Sequence, residues 1–134
     1  MIKGVEHIGI AVKDLDAAEK QFETLLGVSS YKREIVESEG VITSFFKIGN
    51  VKIELLAAVN ENSTIAKFID KRGEGIHHIA FATDNASTEL EKLENSGFQL
   101  INKEVKAGAD EMNIGFVHPK SIHGVLTELC SPKM

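Results

Sequence analysis

Two stretches of the chain repeat each other: residues 7–26, HIGIAVKDLDAAEKQFETLL, resemble residues 78–97, HIAFATDNASTELEKLENSG. A chain of 134 residues that writes one pattern twice is expected to fold as two similar modules, each too small to bury its apolar face alone. In each copy a short apolar segment leads to an acidic or amide cluster and then to a stretch of helical period ending near a glycine. For the first helix, Asp16 with Glu19 reads as a capping box, Ala18, Phe22 and Leu25 form one stripe, and Gly27 ends it. The second starts at Asp84 or Asn85, carries Ala86, Leu90 and Leu93, and stops at Gly97.

After each helix come short runs of Val, Ile and Phe broken by Gly, Asn and Pro, the texture of an antiparallel meander. Strands are predicted near 28–37, 41–48 and 51–57, then near 98–106, 112–118 and 124–130, with Gly49-Asn50 and HPKSIHG (118–124) as turns. Each half is thus strand, helix, three strands, an α+β arrangement. Between the halves, ENSTIAKFIDKRGEG offers Asn62 or Ser63 as the cap of a short helix containing Ile65, Ala66, Phe68 and Ile69. The organisation expected is one domain over 1–134, with module 1 about 1–58, a linker with a short helix at 59–75, and module 2 about 76–134.

The composition narrows the function. Hydrophobic residues at 43% and charged residues at 26% fit an ordinary globular domain. The net charge is −5, and the arginines are Arg33 and Arg72, so a broad phosphate-binding surface is not expected and nucleic acid is excluded as a partner. Cys130 stands alone and can form neither an internal disulfide nor a thiolate zinc cluster. The start MIKGVEHIGIAV lacks the pattern of a signal peptide and no apolar run is long enough for a bilayer, so a cytoplasmic protein without a membrane partner is expected.

Strand alternation sorts the polar residues onto faces. His7, Gly9 and Ala11 share one side of the first strand, and His78, Ala80 and Ala82 share one side of its repeat. In each case a histidine stands beside small residues that leave space. The last strand of each copy adds an acid among apolar neighbours, Glu54 in KIELLA and Glu128 in VLTELC. A carboxylate in such a strand is costly unless paired or bound to a cation. Taken singly, each histidine could be a core residue bonded to backbone, and each glutamate an edge charge facing water. As a matched set, His7, Glu54, His78 and Glu128 can supply two neutral nitrogens and two carboxylates to one divalent ion, Co, Ni, Mn, Fe or Zn, with positions left for water or substrate. His77, on the opposite face, is assigned to packing or to support behind the ligands, His118 and His123 to turn or solvent roles at HPKS, Lys120 to solvent, and Cys130 to a small buried hydrophobe.

Through EHIGIAVKDL, NVKIELLA, NSTIAKFI, GEGIHHIAF and FVHPKSIHGVLTELC, nearly the whole chain resembles the vicinal oxygen chelate (glyoxalase/bleomycin resistance/dioxygenase) superfamily, and within it most resembles the methylmalonyl-CoA epimerases. The resemblance implies two βαβββ modules forming a curled eight-stranded mixed sheet around a central metal, with the family ligands falling on His7, Glu54, His78 and Glu128. It further implies an acyl-CoA thioester substrate, a metal-dependent isomerase working by α-proton abstraction and an enolate intermediate, Glu128 as a catalytic base, and a possible homodimer. Inversion asks for a second acid on the other face. In some family members it is a glutamate three positions after a strand glycine; in GVITSFF that place is Thr43, with Glu37 and Glu39 the nearest upstream acids considered. The segment AGADEMNIGF also departs from the family, and Asp110 and Glu111 would repel an acyl-CoA if they faced the pocket. A glyoxalase I-type lactoylglutathione lyase is the first alternative, because it uses the same kind of ligand set. A metal-free binding module is the second, although seven Phe, one Tyr and no Trp make a thin aromatic pocket.

Overall fold

A computed structural model of the chain describes residues 1–133. The strands are β1 (Ile2–Ala11), β2 (Lys32–Val36), β3 (Val41–Ile48), β4 (Val51–Ala58), β5 (Gly75–Thr83), β6 (Lys106–Ala107), β7 (Met112–Val117) and β8 (Thr127–Pro132). The helices are α1 (Leu15–Leu26), α2 (Thr64–Arg72) and α3 (Ala86–Asn95), with single 3₁₀ turns at Glu37–Glu39 and Pro119–Ser121. The eight strands form one sheet in the order β2-β3-β4-β1-β5-β8-β7-β6. It is mixed: β1 runs parallel to β4 and β5 parallel to β8, while β2-β3-β4 and β6-β7-β8 are antiparallel. The expected α+β class is found. Chain contacts divide the protein into two compact units, His7–His77 and Met1–Glu6 with the chain from His78 onward.

In the unit His7–His77, α1 starts two residues earlier than the sequence suggested. Asp14, in extended conformation, is the cap and accepts from the Ala17 amide at 3.1 Å, whereas Asp16 lies inside the first turn. That start puts Leu15, Ala18, Phe22 and Leu26 on the buried stripe, against Val12, Phe46, Leu55 and Ala57. Leu25, assigned to the stripe from its spacing, is 74% exposed. Gly27 ends the helix with φ 74°, a left-handed conformation that glycine adopts at little cost. On the other face of the sheet, α2, capped by Ser63, lays Ile65, Phe68 and Ile69 over Ala11, Val41 and Leu56.

In the second unit Asn85 caps α3, and Ala86 and Leu90 pack on Leu129 with Phe81, Leu93 and Leu100 around them. The approach is close at Gly115 in β7: a Cβ there would stand 2.4 Å from a Leu90 methyl carbon, so only glycine fits. The strand expected over 98–106 is mostly absent. Leu100 makes one bridge to Val117, but the Asn102 side chain then takes the Phe116 amide at 2.9 Å, and regular pairing resumes only at Lys106–Ala107. A side-chain carbonyl has taken the place of a backbone one. β8 begins at Thr127 rather than 124 because His123 and Gly124 both have positive φ and extend the turn. Among the described residues no helix is long and apolar enough to cross a membrane.

Candidate metal centre

In the unit His7–His77, parallel pairing sets Gly9 of β1 beside Glu54 of β4. His7 lies two residues earlier on the same face, and its Nδ1 comes to 3.2 Å from Glu54 Oε2. Glycine leaves the carboxylate room on that side. On the other side antiparallel pairing sets Phe45 beside Glu54, with Lys32 Nζ 5.0 Å above the Phe45 ring.

The second unit repeats the arrangement. Parallel pairing sets Ala80 of β5 beside Glu128 of β8, and His78 Nε2 lies 3.3 Å from Glu128 Oε1. Phe116 is the antiparallel neighbour of Glu128, Lys106 Nζ lies 6.0 Å above its ring, and His78 meets the same ring edge-on at 5.8 Å. All four polar side chains are buried, at 4–6% exposure.

The spacing within each pair bears on what the pair can hold. A charge-assisted imidazole–carboxylate hydrogen bond contracts to about 2.7–2.9 Å, and both pairs are longer. Two donors bound to one cation at about 2.1 Å, at angles between octahedral and tetrahedral, stand about 3.0–3.4 Å apart. Both pairs lie in that interval, and their mixed nitrogen and oxygen donors suit a borderline divalent ion. The residues present therefore fit a metal. His7, His78 and Glu128 are also candidate ligands by the chemistry and burial of their donor atoms.

Outside these pairs, His77 packs edge-on against Phe68 at 4.9 Å, and His118 Nδ1 accepts from the Lys120 amide in the HPKS turn. Cys130 is buried, its thiol directed at the Phe81 carbonyl. Asp110 and Glu111 occupy consecutive left-handed positions, with Glu111 exposed.

Comparison with known proteins places the chain in a family. Residues 6–116 match the model of the Glyoxalase/Bleomycin resistance protein/Dioxygenase superfamily. The chain belongs to that superfamily. The ethylmalonyl-CoA/methylmalonyl-CoA epimerase of Cereibacter sphaeroides is 36% identical over 131 residues, covering 96% of this chain and 98% of that protein. The uncharacterised Bacillus subtilis protein YqjC is 39% identical over 129 residues, covering 96% of this chain and 92% of that protein. A substituted form of the Streptomyces coelicolor methylmalonyl-CoA epimerase, solved with 2-nitronate-propionyl-CoA, superimposes with a TM-score of 0.94 at 34% identity, covering 98% of this chain and 96% of that one.

Glu37 and Glu39 sit in the 3₁₀ turn after β2, beyond the last β2–β3 pair, Val36 with Val41. Thr43 is 1% exposed, and its partner across the ladder is Glu34. Glu34 keeps even spacing with Lys32 and Val36 on β2, which puts the three on one face. Its orientation is fixed by Arg33, which faces α1 and donates to Glu19 at 2.9 Å and Asp16 at 2.7 Å, while the Ser44 hydroxyl donates to Glu19 at 2.6 Å. The Arg33 guanidinium, helped by Ser44 and opposed by burial, holds Glu19 below the usual carboxylate range, and Arg33 likewise lowers Asp16. With Arg33 and Ser44 on the α1 side, alternation puts Lys32, Glu34, Thr43, Phe45 and Glu54 on the opposite side.

Proposed function

We propose that this chain is a metal-dependent isomerase that interconverts the 2-epimers of methylmalonyl-CoA, with His7, Glu54, His78 and Glu128 holding one divalent ion within a single catalytic domain. The observation that carries the reading is the duplicated buried histidine–glutamate pair, built on the same pairing pattern in both copies and spaced as neighbouring ligands would be. The epimerase relatives, matched over nearly their full length or solved with a CoA thioester, supply the substrate class.

When bound, the ion supplies electrophilic stabilisation of the charge that grows on the thioester oxygen as the α-proton leaves. The chain's residues do the rest. His7 and His78 present neutral nitrogens, and the two carboxylates offset the cation's charge. Gly9 and Ala80 leave space beside the carboxylates for a substrate. Glu128 takes or returns the α-proton on one face of the substrate carbon, within a buried setting that limits competing water. The same reading carries the cytoplasm as location and a homodimer as assembly.

The test is incubation of the metal-loaded protein with each epimer of methylmalonyl-CoA in deuterated water. Exchange at the α-carbon accompanied by inversion is expected. Turnover of a glutathione hemithioacetal without thioester exchange overturns the substrate in favour of a lactoylglutathione lyase, and failure to bind any divalent ion favours a binding module.

A further inference from the structure

Inversion at a carbon requires proton transfer on both of its faces, and Glu128 accounts for one. Resting on the epimerase reading, we propose that Glu34 is the second proton carrier. On the strands of the unit His7–His77, the face opposite α1 carries two acids, Glu54 and Glu34. Glu54 is committed to His7. Glu34 is the cross-strand partner of Thr43, so their Cβ atoms stand about 5 Å apart. Thr43 is short and buried and faces Leu56 of β4, while Glu54 stands on the neighbouring rung in line with Phe45 and Lys32, the residue whose ammonium Glu34 approaches. Two strand spacings, about 10 Å, separate the backbones of β2 and β4.

Lys32 fixes the position of this carboxylate. Its Nζ is 3.4 Å from Glu34 Oε1 and lies over the ring of Phe45, the neighbour of Glu54. The Glu34 side chain is 35% exposed, so it is in contact with water. That is what a carrier needs if it is to exchange its proton between turnovers. In the forward sense the Glu34 carboxylate takes the α-proton, the C–H electron pair moves onto the thioester carbonyl oxygen, and the acid on the other face delivers a proton to the same carbon. The carriers end with their protonation exchanged, and the reverse turnover or exchange through water restores them.

The experiment uses the full metal-loaded chain with Glu34→Gln and Glu34→Ala, each epimer being followed separately in deuterated water. Inversion is expected to fall by about 100-fold or more, while metal content stays at the wild-type level. One epimer, served by the remaining carrier, is expected to exchange its α-proton without inverting. Adding Thr43→Glu to Glu34→Gln is expected to regain inversion. Inversion at the wild-type rate in Glu34→Gln overturns the role, as does equal loss of exchange from both epimers or loss of the ion, each of which marks structural damage. A wild-type protein that binds metal yet neither exchanges nor inverts removes the epimerase reading itself, and is told apart because the failure precedes any substitution.

Discussion

Glu54 and Glu128 are buried carboxylates, Glu54 between Ile53 and Leu55 and Glu128 ahead of Leu129 and Cys130. Without a cation each costs several kcal/mol of desolvation that a neutral imidazole only partly offsets. Opposite signs are therefore expected for one substitution under two conditions. In chelator, Glu54→Gln raises the melting temperature, because an amide is cheaper to bury than a charge. In excess divalent metal the same variant melts below wild type, because wild type gains about 2.7 kcal/mol at a hundredfold excess over Kd and the variant does not. Paired thermal melts check both. Gly115→Ala presses a methyl group into Leu90, which is fully buried and cannot swing away. Denaturant unfolding is expected to show a loss of about 1–3 kcal/mol.

In α1 the cap decides which leucine is buried. Both Asp14 and Asp16 are good capping residues by type, and the sequence pattern around Asp16 and Glu19 matches a capping box. The deciding term is tertiary: Leu15 has a place beside Val12 and Leu55, and Asp16 and Glu19 are drawn outward to Arg33. Asp14→Ala is expected to lower stability by about 1 kcal/mol, with Asp16→Ala leaving helix content by circular dichroism unchanged. Arg33 also sets a pH dependence. Glu19 and Asp16 have folded-state pKa values below their ordinary ones, so their contribution is complete above the ordinary carboxylate range and is lost as pH falls through the lowered values. Arg33→Gln is expected to flatten the decline of denaturation midpoint between neutral pH and about pH 3, a slope that a chelated sample reports without interference from metal release.

The repeat made most of the architecture legible: β3 and β7 fall within a residue of their expected limits, and the small residues beside each histidine marked the faces correctly. What escaped depends on partners far away in sequence. The loss of the strand over 98–106 follows from Asn102 reaching the Phe116 amide, and the role open to Glu34 follows from a ladder register that composition does not encode. The His7–Glu54 and His78–Glu128 pairs could be picked out because burying a charge is costly wherever the strand lies. Their joint occupation by one cation is tested most directly by counting divalent ions per chain in the purified protein and in four variants, His7→Ala, Glu54→Gln, His78→Ala and Glu128→Gln. One ion per chain in the parent, and none retained when either pair is broken, is the result expected. A parent that takes up no ion from a divalent-metal buffer, or an ion that survives the loss of a whole pair, contradicts it.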